Sequence, residues 1–138
     1  MIRTTGVLHF TLPVTDLARS AAFYTELLGC REATRSGHMS FMQSGGDYFI
    51  LAKCPAPVES NPDGRTTVHH AFMVDGEAFD DAMAQVKARG IEIVRVEHRT
   101  EGMFTGRQFY FRDPDGNVLE IIHYEGPGEG FRFGAGVL

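Results

Sequence analysis

Three side chains of metal-binding type occur at related points of the sequence. His9 and His69 each lie near the start of a run that is predicted to form a strand, and Glu120 lies in a third such run. Two imidazoles and one carboxylate suit divalent first-row metals, and three ligands leave coordination positions open for substrate, water or oxygen. The sequence therefore predicts a facial metal site made of His9, His69 and Glu120.

Strand alternation predicts that these three side chains share one face of a sheet. Successive side chains of a strand point to opposite faces. His9 alternates with bulky apolar residues, and Glu120 lies between two apolar neighbours that point the other way. The same rule selects His69 over His70, because His70 shares the apolar face of its strand.

The elements that must position these ligands are predicted to form one unit that occurs twice. The first copy is predicted to have a strand at 7–14, a helix that Asp16 caps and Gly29 ends, and strands at 31–35, 38–43 and 48–53. The second copy is predicted to have a strand at 67–74, a helix at 75–89, and strands at 91–96, 107–112 and 118–124. The fold class is therefore α+β, with two tandem βαβββ modules at 7–54 and 67–124, a linker at 55–66 and a tail at 125–138.

One position breaks the symmetry of the repeat. Counting four residues from the glycine of each last hairpin, Gly116 leads to Glu120 and Gly46 leads to Ile50. An apolar side chain therefore occupies the position of a fourth symmetric ligand. We expect three ligands rather than four.

Composition limits the classes of partner. The chain has 138 residues, 43% of them hydrophobic, and a formal net charge of -5, which suits one domain with its own core. It lacks the clustered Lys and Arg of nucleic-acid contacts, and no apolar run approaches the roughly 18 residues of a spanning helix. The first six residues lack the apolar stretch of a secretory signal, and the two cysteines have no C-x-x-C spacing. We expect a cytoplasmic protein that binds a small molecule, with neither nucleic acid nor membrane as a partner.

Four further residues are candidates for roles around the predicted metal site. Tyr110 and His98 are candidates for proton transfer, and Thr11 and Arg107 are candidates for substrate binding. Each has a structural alternative: Tyr110 and Thr11 suit strand packing, while His98 and Arg107 suit a solvated surface. Their spacing alone does not decide between these uses.

The motifs resemble those of the vicinal oxygen chelate superfamily, which includes glyoxalases, bleomycin resistance proteins and extradiol dioxygenases. The resemblance lies in the run from His9 to Ser20 and in His69-x-Ala71-Phe72-x-Val74-Asp75, and it continues in Asp113-Pro114-Asp115-Gly116-Asn117-x-Leu119-Glu120. It covers residues 7–124. It implies mixed sheets that form a cup-shaped metal site, with His9, His69 and Glu120 holding one divalent ion such as Fe²⁺, Mn²⁺, Zn²⁺ or Ni²⁺. It also implies a homodimer.

The resemblance leaves several reactions open. Ile50 falls where glyoxalase I places a glutamate ligand, which disfavours a glyoxalase-like lyase. Three ligands leave room for a bidentate diol and oxygen, so the main prediction is extradiol-dioxygenase-like chemistry. The alternatives are a fosfomycin-type thiol transferase and a metal-free drug-binding resistance protein. The sequence also leaves open whether His9 joins His69 and Glu120 within one chain or across the dimer.

Overall fold

The computed structural model describes residues 1–132, so residues 133–138 of the predicted tail lie outside the described residues. Its elements in chain order are β1 (His9–Val14), α1 (Leu17–Leu28), β2 (Arg31–Arg35), β3 (Met39–Ser44), β4 (Asp47–Lys53), β5 (His70–Met73), a 3-10 turn (Gly76–Ala78), α2 (Phe79–Ala88), β6 (Arg95–Arg99), β7 (Thr105–Arg112) and β8 (Val118–Gly126). Within residues 1–132, no helix is long and apolar enough to cross a membrane.

The elements form two compact units with the same topology. The first contains Met1–Ser60 and Asp113–Asn117, and the second contains Asn61–Arg112 and the described residues from Val118 to Arg132. The first sheet has the order β1-β4-β3-β2 and the second has the order β5-β8-β7-β6. In each, the first strand is parallel to the last and the remaining pairs are antiparallel. The predicted fold of two tandem βαβββ modules is confirmed.

In the first unit, helix α1 packs an aromatic side chain onto the sheet. The Asp16 side chain accepts a hydrogen bond from the Arg19 N–H at 2.9 Å, and Gly29 ends the helix with a left-handed φ of 65°. Between these ends, Tyr24 is fully buried and its ring meets the Phe49 ring edge-on at 5.3 Å. The predicted cap and stop of this helix are therefore present.

The first unit also contains the turn at Asp113–Asn117. Tyr24 donates a hydrogen bond from its hydroxyl to Asp113 at 2.7 Å, and Asp115 accepts bonds from the Thr15 hydroxyl at 2.6 Å and the Arg19 guanidinium at 3.0 Å. Burial raises the pKa of Asp113, although hydrogen bonds partly offset it. Burial also opposes ionisation of Asp115, but the bonds from Thr15 and Arg19 hold its pKa below the ordinary value.

Two strands of the second unit begin later than the sequence predicts. Strand β5 begins at His70 rather than at residue 67, because the Asn61 side chain bonds the backbone just before it. Strand β6 covers Arg95–Arg99 rather than 91–96. The Ile91 N–H still bonds the Val86 carbonyl of α2, and pairing with β7 starts only at Val94.

Candidate metal centre

Equivalent sheet positions of the two units carry different side chains. Two residues beyond each histidine, Thr11 of β1 pairs with Ile50 of β4, and Ala71 of β5 pairs with Glu120 of β8. Paired residues of parallel strands point to the same face. Ile50 therefore occupies the position in the first unit that Glu120 occupies in the second.

The second unit brings His69 and Glu120 into contact. Nε2 of His69 lies 3.0 Å from Oε2 of Glu120, whose side chain is only 7% exposed. Nδ1 of His69 lies 2.7 Å from the Thr66 carbonyl oxygen. A carbonyl only accepts, so Nδ1 carries a proton and donates it, while Nε2 is the ring nitrogen that faces the carboxylate.

The separation of these two atoms fits a shared divalent ion. With the proton on Nδ1, the Nε2 lone pair would face the carboxylate oxygen directly, and a metal ion held between the two atoms would bind both of them. Nitrogen and oxygen ligands lie about 2.1 Å from such ions. Two ligands at that distance in adjacent octahedral positions are about 3.0 Å apart. The donor pair therefore suits a metal of the kind that the sequence predicts.

Asn61 fixes the segment that carries His69. Its side chain donates to the Val68 carbonyl at 2.9 Å and accepts from the Val68 N–H at 2.8 Å. Because Asn61 is buried, both bonds are partly shielded from water. His69 is thus held between this clamp and the first residue of β5.

A cavity of about 1100 Å³ opens at the His69–Glu120 pair. Side chains from β5, β6, β7 and β8 line its sheet side, and the register places Arg95, Tyr110, Glu120 and Ala71 in one row across the sheet. Arg99 lines the same cavity four residues further along β6, on the same face as Arg95. This wall therefore combines two guanidinium groups with a histidine–carboxylate pair.

Tyr110 is close to both His69 and Glu120. It is 2% exposed, its ring meets the His69 ring edge-on at 5.4 Å, and the Arg95 guanidinium lies 4.4 Å from its ring centre. Burial raises the pKa of Tyr110; the nearby Arg95 lowers it and the charge of Glu120 raises it further. The phenol therefore keeps its proton at neutral pH, which suits a hydrogen-bond donor better than a base.

The structure does not bring His98 or Arg107 to this cavity. His98 lies on β6 between the two cavity-facing arginines, points to the other face, and places Nε2 3.3 Å from Glu125. Arg107 pairs with Asp80 of helix α2 and lies over the Phe79 ring at 4.3 Å. His98 and Arg107 are cross-strand partners, so both point to the face of the sheet opposite the cavity. Both side chains therefore lie away from this cavity, and proton transfer by His98 and substrate binding by Arg107 stay predictions.

Sequence reasoning missed the cavity residues Arg95, Arg99 and Gln108. The predicted strand at 91–96 ended before Arg99, so the pair of arginines on one face was not visible. Gln108 lies two residues before Tyr110 on β7 and faces the same way. Alternation back from Tyr110 would have indicated Gln108.

His9 and Thr11 lie in the first unit, on strand β1, and both are exposed. Among residues 1–132, no group of three or more His, Cys, Asp or Glu side chains is arranged to hold a metal ion. His69 and Glu120 are thus a pair within the described chain. The roles of His9 as third ligand and of Thr11 as a substrate contact stay predictions.

A family model described as the Glyoxalase/Bleomycin resistance protein/Dioxygenase superfamily matches residues 6–121. The chain belongs to this superfamily. It is 32% identical over 119 residues to the fosfomycin resistance protein FosX of Listeria monocytogenes, covering 84% of this chain and 87% of FosX. It is 32% identical over 113 residues to the glutathione transferase FosA of Serratia marcescens, covering 82% and 77%.

A crystal structure of a FosX from Listeria monocytogenes, in complex with Mn(II) and sulfate, matches the fold with a TM-score of 0.75. The sequence identity there is 27%, and the match covers 88% of this chain and 92% of that one. These relatives support the interpretation of this chain as a metal-dependent enzyme of the vicinal oxygen chelate superfamily. They favour the fosfomycin-type alternative over the main prediction of extradiol-dioxygenase-like chemistry.

Proposed function

We propose that the protein is a divalent-metal-dependent enzyme that adds a thiol or water to fosfomycin or to a similar small anionic epoxide. The observation that carries this proposal is the His69–Glu120 pair, 3.0 Å apart, in a cavity that Arg95 and Arg99 also line. The similarity to FosX and FosA supports this choice of substrate class. A catechol would need no pair of guanidinium groups.

The metal ligands of this proposal are His9, His69 and Glu120, with Mn²⁺ as the first ion to test. FosX is seen with Mn(II), and the nitrogen and oxygen donors suit that ion. Within residues 1–132 of one chain no third ligand joins the pair, so we propose that His9 comes from a second copy in a homodimer. Two such sites would then form in each dimer.

The cavity residues have distinct roles in this reaction. The bound ion supplies Lewis-acid polarisation of a substrate oxygen. Arg95 and Arg99 bind the anionic group of the substrate, and Glu97, which lies 3.6 Å and 3.2 Å from their guanidinium groups, keeps the net charge of this trio at about +1. Tyr110, which lies between Arg95 and Glu120 in the row, donates a hydrogen bond from its hydroxyl to the substrate.

The first test measures bound metal and its effect on one substrate. Protein purified without an affinity tag is expected to take up about one Mn²⁺ per chain and to remove the epoxide of fosfomycin, which ³¹P NMR follows directly. Parallel reactions with glutathione, with cysteine and without thiol distinguish thiol addition from hydration. Oxygen consumption with catechols tests the extradiol alternative.

The control for this test compares substitutions at two neighbouring histidines, the candidate ligand His69 and the adjacent His70. His69→Ala is expected to lose Mn²⁺ binding and epoxide opening, whereas His70→Ala keeps both. Absence of divalent-metal uptake by the unaltered protein would overturn the proposal. Fosfomycin that binds but stays unchanged in the presence of metal and thiol would indicate a drug-binding protein instead.

A further inference from the structure

Gln108 is a buried polar side chain in contact with the candidate ligand Glu120. It lies on β7, is 2% exposed, and is the cross-strand partner of Glu97 on β6. One terminal atom of its amide lies 3.0 Å from Oε1 of Glu120, 3.3 Å from Oε1 of Glu97 and 2.8 Å from the Tyr110 hydroxyl. Two of these three neighbours are carboxylates.

The chemistry of these neighbours identifies that atom as the amide nitrogen. A carboxylate oxygen only accepts, so an amide oxygen in this place would meet two acceptors with no proton between them. The nitrogen offers two N–H groups to Glu120 and its neighbours. A lysine there would add a charge, and a glutamate would repel both carboxylates, so a neutral donor suits the position.

The two oxygens of Glu120 consequently have different partners. Oε1 accepts from Gln108, and Oε2 faces Nε2 of His69 at 3.0 Å. The terminal torsion of a glutamate has broad and roughly two-fold preferences, so an unheld carboxylate would rotate freely. The bond to Oε1 fixes that rotation and leaves Oε2 directed at the imidazole.

We propose that Gln108 is a positioning residue that holds the Glu120 carboxylate in the orientation that binds the metal ion. The inference rests on the proposed function, because it takes Glu120 as a ligand. In this role Gln108 acts through Glu120 and is not itself a metal ligand. Loss of a hydrogen bond to a metal ligand typically weakens metal binding about 10- to 100-fold.

The test is the affinity for Mn²⁺ in the dimer as purified, measured by electron paramagnetic resonance titration of free Mn²⁺. Gln108→Met keeps the length of the side chain without its donor and is expected to raise the Kd about 10- to 100-fold. The control is Gln85→Met on the exposed face of helix α2, where Gln85 donates to Asp81 at 2.6 Å. That variant is expected to keep the Kd of the unaltered protein.

Two further variants separate positioning from a loss of structure. Gln108→Asn retains a buried amide but withdraws the nitrogen by about 1.5 Å, so it is expected to fold and still to bind Mn²⁺ at least 10-fold more weakly. In a Glu120→Gln background, Gln108→Met is expected to cause little further weakening, because the carboxylate that it orients is gone.

The outcomes distinguish this inference from the proposed function. If the unaltered protein takes up no divalent metal, the proposed function fails and this inference fails with it. If the unaltered protein binds Mn²⁺ and Gln108→Asn binds it equally well, only the positioning role is refuted. Equal weakening by Gln108→Met in the presence and absence of the Glu120 carboxylate would also refute it.

Discussion

Replacing Asn61 by Ala removes both hydrogen bonds that fix the segment before His69, without altering a candidate ligand. The bonds to the two backbone groups of Val68 measure 2.9 Å and 2.8 Å. At a net contribution of about 1 kcal/mol each, their loss lowers the free energy of unfolding by about 2 kcal/mol. Urea unfolding of the metal-free protein measures this change, and circular dichroism reports the midpoint.

The same change has a second effect on metal binding. A loosened segment must be ordered again when His69 binds the ion, at a cost of about 1–2 kcal/mol for one residue. The Kd for Mn²⁺ is therefore expected to rise about 5- to 30-fold.

The matched control is Asp63→Ala in the same loop. Asp63 bonds the Arg65 N–H at 3.0 Å but is exposed, so its replacement is expected to cost less than about 0.5 kcal/mol and to leave Mn²⁺ binding unchanged. If Asn61→Ala and Asp63→Ala give equal stabilities, the clamp contributes nothing and the reasoning is refuted. If Asn61→Ala unfolds more easily but binds Mn²⁺ normally, the link to His69 is refuted.

Three further predictions concern other parts of the described chain. Gly106→Ala is expected to unfold the protein or lower its stability by more than about 4 kcal/mol, because an added Cβ would lie 1.9 Å from a backbone oxygen at a φ of 135°; thermal unfolding checks it, and a near-normal midpoint contradicts it. Asp115→Asn is expected to cost about 2 kcal/mol at pH 7. The folded pKa of Asp115 is lowered, so its contribution is present above the unfolded value of about 3.9 and is lost as pH falls through the folded pKa. Urea unfolding at pH 7 and pH 3 should show the difference shrinking, whereas a constant difference would show that ionisation plays no part. Tyr24→Phe is expected to lose about 1–2 kcal/mol at pH 7, measured in the same way; an unchanged midpoint would show that the bond to Asp113 contributes nothing.

Local signals in the sequence predicted the fold well where one residue decides the structure. Asp16 and Gly29 mark the ends of α1, and both have the expected capping geometry. The glycine and proline turns separate the strands, and the repeat predicts the common order of the two sheets. Glu120 was placed on the right face because β8 alternates without interruption past it.

Prediction was weaker where tertiary contacts decide the register. Nothing in the local sequence shows that β6 starts at Arg95, because that start depends on pairing with β7. The predicted strand at 91–96 ended before His98 and Arg99, so neither residue was assigned to a face of the sheet. The contacts of Gln108 were equally impossible to predict, because Glu97 and Glu120 approach its amide from two different strands.

The turn at Asp113–Asn117 has a consequence for the order in which the chain folds. Thr15 and Asp115 are 100 residues apart in sequence, yet their contact completes the first unit. At roughly 5–20 residues per second, a ribosome delivers this turn several seconds after the first sixty residues. During that interval the Tyr24 hydroxyl lacks the acceptor that it has in the native unit. Contacts this distant also slow folding, since loop closure precedes the gain from the contact. The first βαβββ module is therefore a folding unit only once most of the second has been synthesised.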